Sequence, residues 1–180
     1  MAELAALLFD LDGTLVDTAE ANYRAYAAAL AEAGVTIGRE QFDAVATGRR
    51  WTQFLPLLIP EGHAAIAERK RALYPGLLGA SRLNQPLVDL ARASRLRLGL
   101  VTSASRSGTE AVLAAHGLSG FFEVVITGDD VAEPKPAPDA YRLAAARLGL
   151  QPLQCLAFED SDPGAESARR AGIAVVRIAL

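Results

Sequence analysis

The chain has 180 residues, 51% of them hydrophobic and 22% charged, with a formal net charge of −3; this is the profile of a soluble globular domain and excludes a disordered chain. No basic tract is long enough for a nucleic-acid surface, and no apolar run reaches the roughly 20 residues that cross a bilayer. The single cysteine, Cys155, excludes an internal disulfide and points to a reducing cytoplasm, with Cys155 itself a small core residue in the run "CLAF".

In chain order, "LAALLFD" (residues 4–10) reads as a buried strand. It lacks a basic n-region and carries Asp10 in its apolar stretch, which argues against a signal peptide. Residues 18–34 are rich in helix formers and close on Gly34. Further helical pieces follow at 39–47, 50–59 and 62–73, broken by Pro56, Pro60, Gly62 and Pro75-Gly76. A helix at about 86–95 returns the chain to a second strand at 96–102. Helices at 107–117, 137–149 and 162–172 then alternate with strands at 122–127, 155–160 and 173–179. Each of these three helical patterns ends in Gly, a common terminator. The strands are continuous apolar runs, as expected when both faces of a sheet are covered.

Alternation of strand and helix predicts an α/β fold: a Rossmann-like three-layer sandwich around a parallel sheet of about five strands, with right-handed crossovers. The stretch between the first two strands is too long for one crossover helix. It is read as a small helical insert, residues 17–84, within a core made of residues 1–16 and 85–180.

Ligands of open parallel sheets bind beyond the carboxyl ends of the strands. Those ends carry Asp10 and Asp12, Thr102 and Ser103, Lys135 in the loop "GDDVAEPKPAPD", and Glu159, Asp160 and Ser161. Several carboxylates converging on one rim repel one another unless a divalent cation sits among them, and hard oxygen ligands favour magnesium. A lysine and hydroxyls suit a phosphate. The set therefore suggests metal-assisted phosphoryl chemistry. Asp10 and Asp12 lie two residues apart, which on an extended segment directs both to one side.

Four ordered motifs carry a resemblance. "DLDGTLVDT" is similar to a DxDGT signature; "LVTSAS" ends a strand in Thr or Ser; "EPKPAPD" looks like a KPxPD form; "FEDSDPGAESARRAG" supplies an acidic pair. Together they resemble the haloacid dehalogenase superfamily of phosphohydrolases. The helical insert resembles the small cap of its phosphoglycolate-phosphatase and β-phosphoglucomutase group. The resemblance implies that Asp10 is the nucleophile and Asp12 the general acid and base. It implies that Asp10, the Asp12 carbonyl, Asp160 and, as a further ligand, Glu159 hold Mg2+. Lys135 would neutralise charge, and Thr102 or Ser103 would contact the phosphate. Gly13 and Thr14 would form a tight turn whose N–H groups face that phosphate. In the cap, Arg49 and Arg50 are candidates for an anionic leaving group. Asn22 stands where the phosphomutase branch carries a histidine.

The expected function is a monomeric, cytoplasmic, magnesium-dependent phosphatase of a small phosphorylated metabolite, acting through an aspartyl-phosphate. A phosphomutase and a non-catalytic phosphate-binding domain are the alternatives. Among the other polar residues, Asp129 and Asp130 read as turn residues, Ser161 and Asp162 as loop-ordering residues, and His63 and His116 as surface residues.

Overall fold

The computed structural model describes residues 3–46 and 49–180. The expected helical piece 39–47 and the segment "TGRRWTQF" therefore extend onto residues 47 and 48, outside the described residues. The chain divides into two compact units, Met1–Asp17 with Arg82–Leu180, and Thr18–Ser81.

The first unit is built on a parallel sheet of five strands, β1 (Ala6–Phe9), β4 (Arg97–Val101), β5 (Val124–Ile126), β6 (Cys155–Glu159) and β7 (Ala174–Arg177), in the spatial order β5-β4-β1-β6-β7. All four residues of β1 are buried. Successive strand side chains point to opposite faces, so both faces of the central strand are covered. This is the Rossmann-like α/β architecture that the strand–helix alternation predicts. Helices α5 (Gln85–Ala93), α6 (Arg106–Ala115), α7 (Asp139–Arg147) and α8 (Asp162–Arg170) connect the strands. One core cluster joins Leu8, Val101, Ile126, Tyr141, Leu148 and Ile173. Ala140, Ala144 and Ala145 of α7 are also buried in it. Phe9 and Phe158 stack across β1 and β6 with ring centroids 4.9 Å apart.

Two short strands, β2 (Val16–Asp17) and β3 (Arg82–Leu83), pair antiparallel where the chain leaves and rejoins this unit. Arg82 donates to Asp17 at 2.9 Å across that pair. Asn84 then caps α5, its Oδ1 accepting from the Leu87 N–H, and its side-chain amide donates to the Thr14 carbonyl at 3.0 Å.

The second unit is helical: α1 (Ala19–Glu32), α2 (Arg39–Ala46), α3 (Trp51–Phe54) and α4 (His63–Leu73), with 3₁₀ turns at Leu55–Leu57 and Tyr74–Ala80. Pro56 and Pro75 stand at the starts of those turns, where a missing N–H costs least. Leu30, Phe42, Phe54, Leu55 and Ile66 form its core. Tyr26, Phe42 and Phe54 meet edge to face or tilted at 5.0–5.7 Å, and the Lys70 ammonium lies 3.9 Å from the Tyr74 ring centroid.

Candidate active site

The register of the sheet explains why distant motifs meet. Phe9 lies level with Leu100 on one side and Phe158 on the other. One residue further along come Asp10, Val101 and Glu159. The Asp10 N–H donates to the Phe158 carbonyl at 3.0 Å, fixing the backbone just where the carboxylate leaves the strand. Asp10 and Glu159 are buried, and Asp160 is half-buried.

Lys135 is the hub. Its ammonium donates to Asp10 Oδ1 at 2.6 Å, to Glu159 Oε1 at 2.6 Å and to the Val101 carbonyl at 2.9 Å. An ammonium has three N–H bonds, and all three are committed. In this arrangement Lys135 grips the Asp10 carboxylate directly. Burial pulls Lys135 down, but Asp10 and Glu159 outweigh it and the net direction is up. Burial pushes Asp10 up to about 8; Lys135 opposes this, while Glu159 and Asp12 add to it. Asp160 is also raised, by burial and then by Glu159.

Glu159 is fully buried and satisfied. Its Oε1 accepts from Lys135 and from the Tyr141 hydroxyl at 2.8 Å; its Oε2 accepts from Ser161 at 3.3 Å. The Ser161 hydroxyl also caps α8 by accepting from the Gly164 N–H at 3.1 Å. Oxygen atoms of Asp10, Glu159 and Asp160 lie within 4.8 Å of one another. An all-oxygen, acid-rich donor set of this kind fits a hard divalent cation.

The first-motif loop departs from the extended geometry expected for Asp10 and Asp12. The strand ends at Phe9, and the Leu11 carbonyl accepts from the N–H groups of Thr14, Leu15 and Val16. Gly13 permits this turn with φ +85°, a conformation that side chains disfavour. Asp12 sits half-buried in the turn and forms an isolated bridge with Val16. The Gly13 and Thr14 N–H groups, which the resemblance implies face a phosphate, are bonded within the turn: Gly13 donates to Val16 and Thr14 to Leu11. The Thr14 side chain, fully buried, donates instead to Asp160 Oδ1 at 3.3 Å.

Thr102 is buried just beyond β4, and its hydroxyl oxygen accepts from the Ala104 N–H at 3.0 Å. Ser103, next to it, is exposed. In the other unit, the Asn22 side chain donates to Thr18 at 3.2 Å. Arg49 is exposed and donates to the Ala44 and Val45 carbonyls near the end of α2. Arg50 is exposed at the start of α3, its N–H held by the Gln53 side chain at 2.9 Å.

Three further residues support the site; Asp130 was expected as a turn residue, and Arg177 and Tyr141 were not singled out in the sequence. Asp130 accepts from the Thr127 N–H and hydroxyl and from Arg106, at 2.6–2.8 Å, bracing the loop that leads to Lys135. Burial works against its charge, yet these partners hold it below the usual carboxylate range. Arg177 donates to the Asp160 carbonyl and lies 3.1 Å from Asp162, steadying the fourth motif from β7. Tyr141 is the third. Its signal was available: a hydroxyl-bearing residue in the small, apolar stripe of "APDAYRLAAARLG" needs a polar partner when buried.

A haloacid dehalogenase-like hydrolase family model matches residues 4–172. The protein CbbY of Rhodobacter capsulatus is 36% identical over 192 positions, covering 97% of this chain and 85% of that protein. The fructose-1-phosphate phosphatase YqaB of Escherichia coli is 33% identical over 183 positions, covering 98% and 97%. Among solved structures, CbbY from Rhodobacter sphaeroides in complex with phosphate superposes with a TM-score of 0.87 at 30% identity, covering 98% of this chain and 87% of that one. Among the described residues no helix is long and apolar enough to cross a membrane. The sheet order, the four motifs on its carboxyl rim and these likenesses lead to one conclusion: the chain is an enzyme of the haloacid dehalogenase-like hydrolase family.

Proposed function

We propose that the protein is a magnesium-dependent phosphatase of a small phosphorylated metabolite, a carbohydrate phosphate in the first instance. The observation that carries this reading is the Asp10–Lys135–Glu159 cluster at the carboxyl rim, with Asp160 beside it. The names of the relatives, among them a fructose-1-phosphate phosphatase, support the substrate class.

Asp10 is the nucleophile. One of its carboxylate oxygens bonds to phosphorus as the bond to the leaving oxygen breaks, giving an aspartyl-phosphate. Asp12 gives its proton to the leaving oxygen and then takes one from the water that attacks phosphorus and restores Asp10. Lys135 keeps Asp10 oriented and lowers the charge facing the incoming phosphate. Thr102 holds a phosphate oxygen with the hydrogen of its hydroxyl. Asp10, Asp160 and the Asp12 carbonyl are the proposed magnesium ligands, with Glu159 behind them as the counter-charge of Lys135. Bound there, the cation supplies charge that draws the phosphate to Asp10 against carboxylate repulsion.

Asn22, Arg49 and Arg50 remain proposed contacts for the leaving group. The test is a panel of sugar phosphates and other phosphorylated metabolites, assayed for free phosphate with and without magnesium. Wild type releases phosphate only with magnesium, and Asp10→Asn releases none. Turnover that survives in Asp10→Asn would overturn the reading.

A further inference from the structure

We propose that Tyr141 is a positioning residue for the reaction: its hydroxyl fixes Glu159, and Glu159 fixes the ammonium of Lys135 against Asp10. The inference rests on the reading above of Asp10 as the nucleophile.

Tyr141 is fully buried on α7, in the cluster with Leu8, Val101, Ile126 and Leu148. A phenylalanine would fill the same space without bringing a polar group into it. A buried hydroxyl is costly unless bonded, and this one donates to a single atom, Glu159 Oε1, at 2.8 Å. The same oxygen accepts from Lys135 at 2.6 Å. Two donors on one carboxylate oxygen define its position more sharply than either alone. With Oε2 accepting from Ser161, the carboxylate is tied at both oxygens. Its approach to α8 is equally tight, since a Cβ on Gly164 would lie 2.0 Å from Oε2.

The tyrosine ring adds a second restraint, with the Lys135 ammonium 5.3 Å from its centroid, within the range of a cation–π attraction. A line of contacts thus runs from α7 to the nucleophile: Tyr141 hydroxyl, Glu159 Oε1, Lys135 Nζ, Asp10 Oδ1. Without the hydroxyl, Glu159 keeps its charge but loses one of the bonds that set its rotamer. Lys135 then holds Asp10 in a broader range of orientations, and a small misalignment of a nucleophile slows the chemical step more than it weakens substrate binding.

The sequence provides a direct probe, because the chain contains only two lysines, Lys70 and Lys135. Protein labelled with 15N-lysine gives two ammonium signals, assigned by Lys70→Arg. In wild type the buried, triply bonded Lys135 ammonium exchanges slowly with water and is observable. In Tyr141→Phe, which keeps the ring, that signal broadens or shifts. With p-nitrophenyl phosphate as probe, kcat falls about tenfold while KM stays within about twofold. Leu148→Ala, a cavity in the same core, serves as control; it lowers the melting temperature while leaving the Lys135 signal and kcat near wild type. An unchanged Lys135 signal in Tyr141→Phe overturns the proposal whatever the rate does. Loss of the signal in Leu148→Ala as well overturns it too, since the effect would then be general loosening. If wild type hydrolyses no phosphate ester at all, the phosphatase reading fails on its own, and the two lysine signals still decide whether Tyr141 orders Lys135.

Discussion

Gly13 and Asp160 are packed so closely that a Cβ on Gly13 would lie 2.3 Å from Asp160 Oδ2. The two residues come from opposite ends of the chain, and the contact ties the turn after β1 to the acidic loop after β6. Gly13 is required twice, once for this approach and once for its φ of +85°. Gly13→Ala is therefore expected to displace Asp160. It should lower stability by about 1–3 kcal/mol and weaken magnesium binding, both measured by thermal unfolding with and without the ion. Gly38→Ala, where nothing lies within 4 Å of the added Cβ, is the control and should be nearly silent. Equal magnesium affinity in Gly13→Ala and wild type would refute the contact's importance.

Gly164 makes the corresponding prediction for Glu159. Its backbone is ordinary, so only the close approach matters. Gly164→Ala should drive the Glu159 carboxylate from its place and slow turnover. Gly164→Ala turnover matching wild type would show that α8 can yield at this point without consequence.

Lys135 is the shared cation of a buried acidic group. Lys135→Met leaves Glu159 buried without its bonded counter-charge. Removing one partner of a buried pair costs about 3–5 kcal/mol, to be read by urea unfolding in the presence of a chelator. The double variant Lys135→Met/Glu159→Gln should recover part of that loss, since one orphaned charge is removed with its partner. A double variant no more stable than Lys135→Met would contradict this.

The raised Asp10 fixes the sign of a pH effect. Its folded value, about 8, lies above its ordinary 3.8, so the folded, metal-free protein binds a proton that the unfolded chain releases. The associated stability is present below about pH 4 and is lost as pH rises towards 8. A cation at Asp10 needs the carboxylate, and a proton competes with it. Magnesium should therefore raise the melting temperature more at pH 8 than at pH 6, with apparent affinity weakening by up to about tenfold per unit below 8. A magnesium-induced shift that is flat or shrinking with pH would contradict the assignment, and Asp10→Asn should abolish the pH dependence.

Thr102 and Ser103 can be separated by substitution. Thr102 is buried, with its hydroxyl oxygen already accepting from Ala104 and its hydrogen left to donate; Ser103 is exposed. Thr102→Val should reduce kcat/KM by about ten- to a hundredfold, and Ser103→Ala should stay within about twofold of wild type. The reverse order would assign the phosphate contact to Ser103.

The sequence by itself determined the five strands of the parallel sheet, the helices that alternate with them and the residues at the strand ends; the β2–β3 pair was not expected. Apolar runs such as "LAALLFD" at 4–10 and "CLAFED" at 155–160 declare a buried strand locally, and a parallel sheet must offer the polar residues that follow them to one rim. The tertiary structure alone decided how those residues divide their bonds. Lys135 reaches Asp10 across 125 positions and Glu159 across 24, while Tyr141 meets Glu159 across 18. The strand order β5-β4-β1-β6-β7, which sets these meetings, is a property of how whole elements pack. The tight turn at Gly13 and Thr14 was expected from the sequence; that the Leu11 carbonyl gathers three N–H groups to build it was not. Local patterns register burial; hydrogen-bond saturation at a buried site arises only when distant segments compete for the same few donors and acceptors.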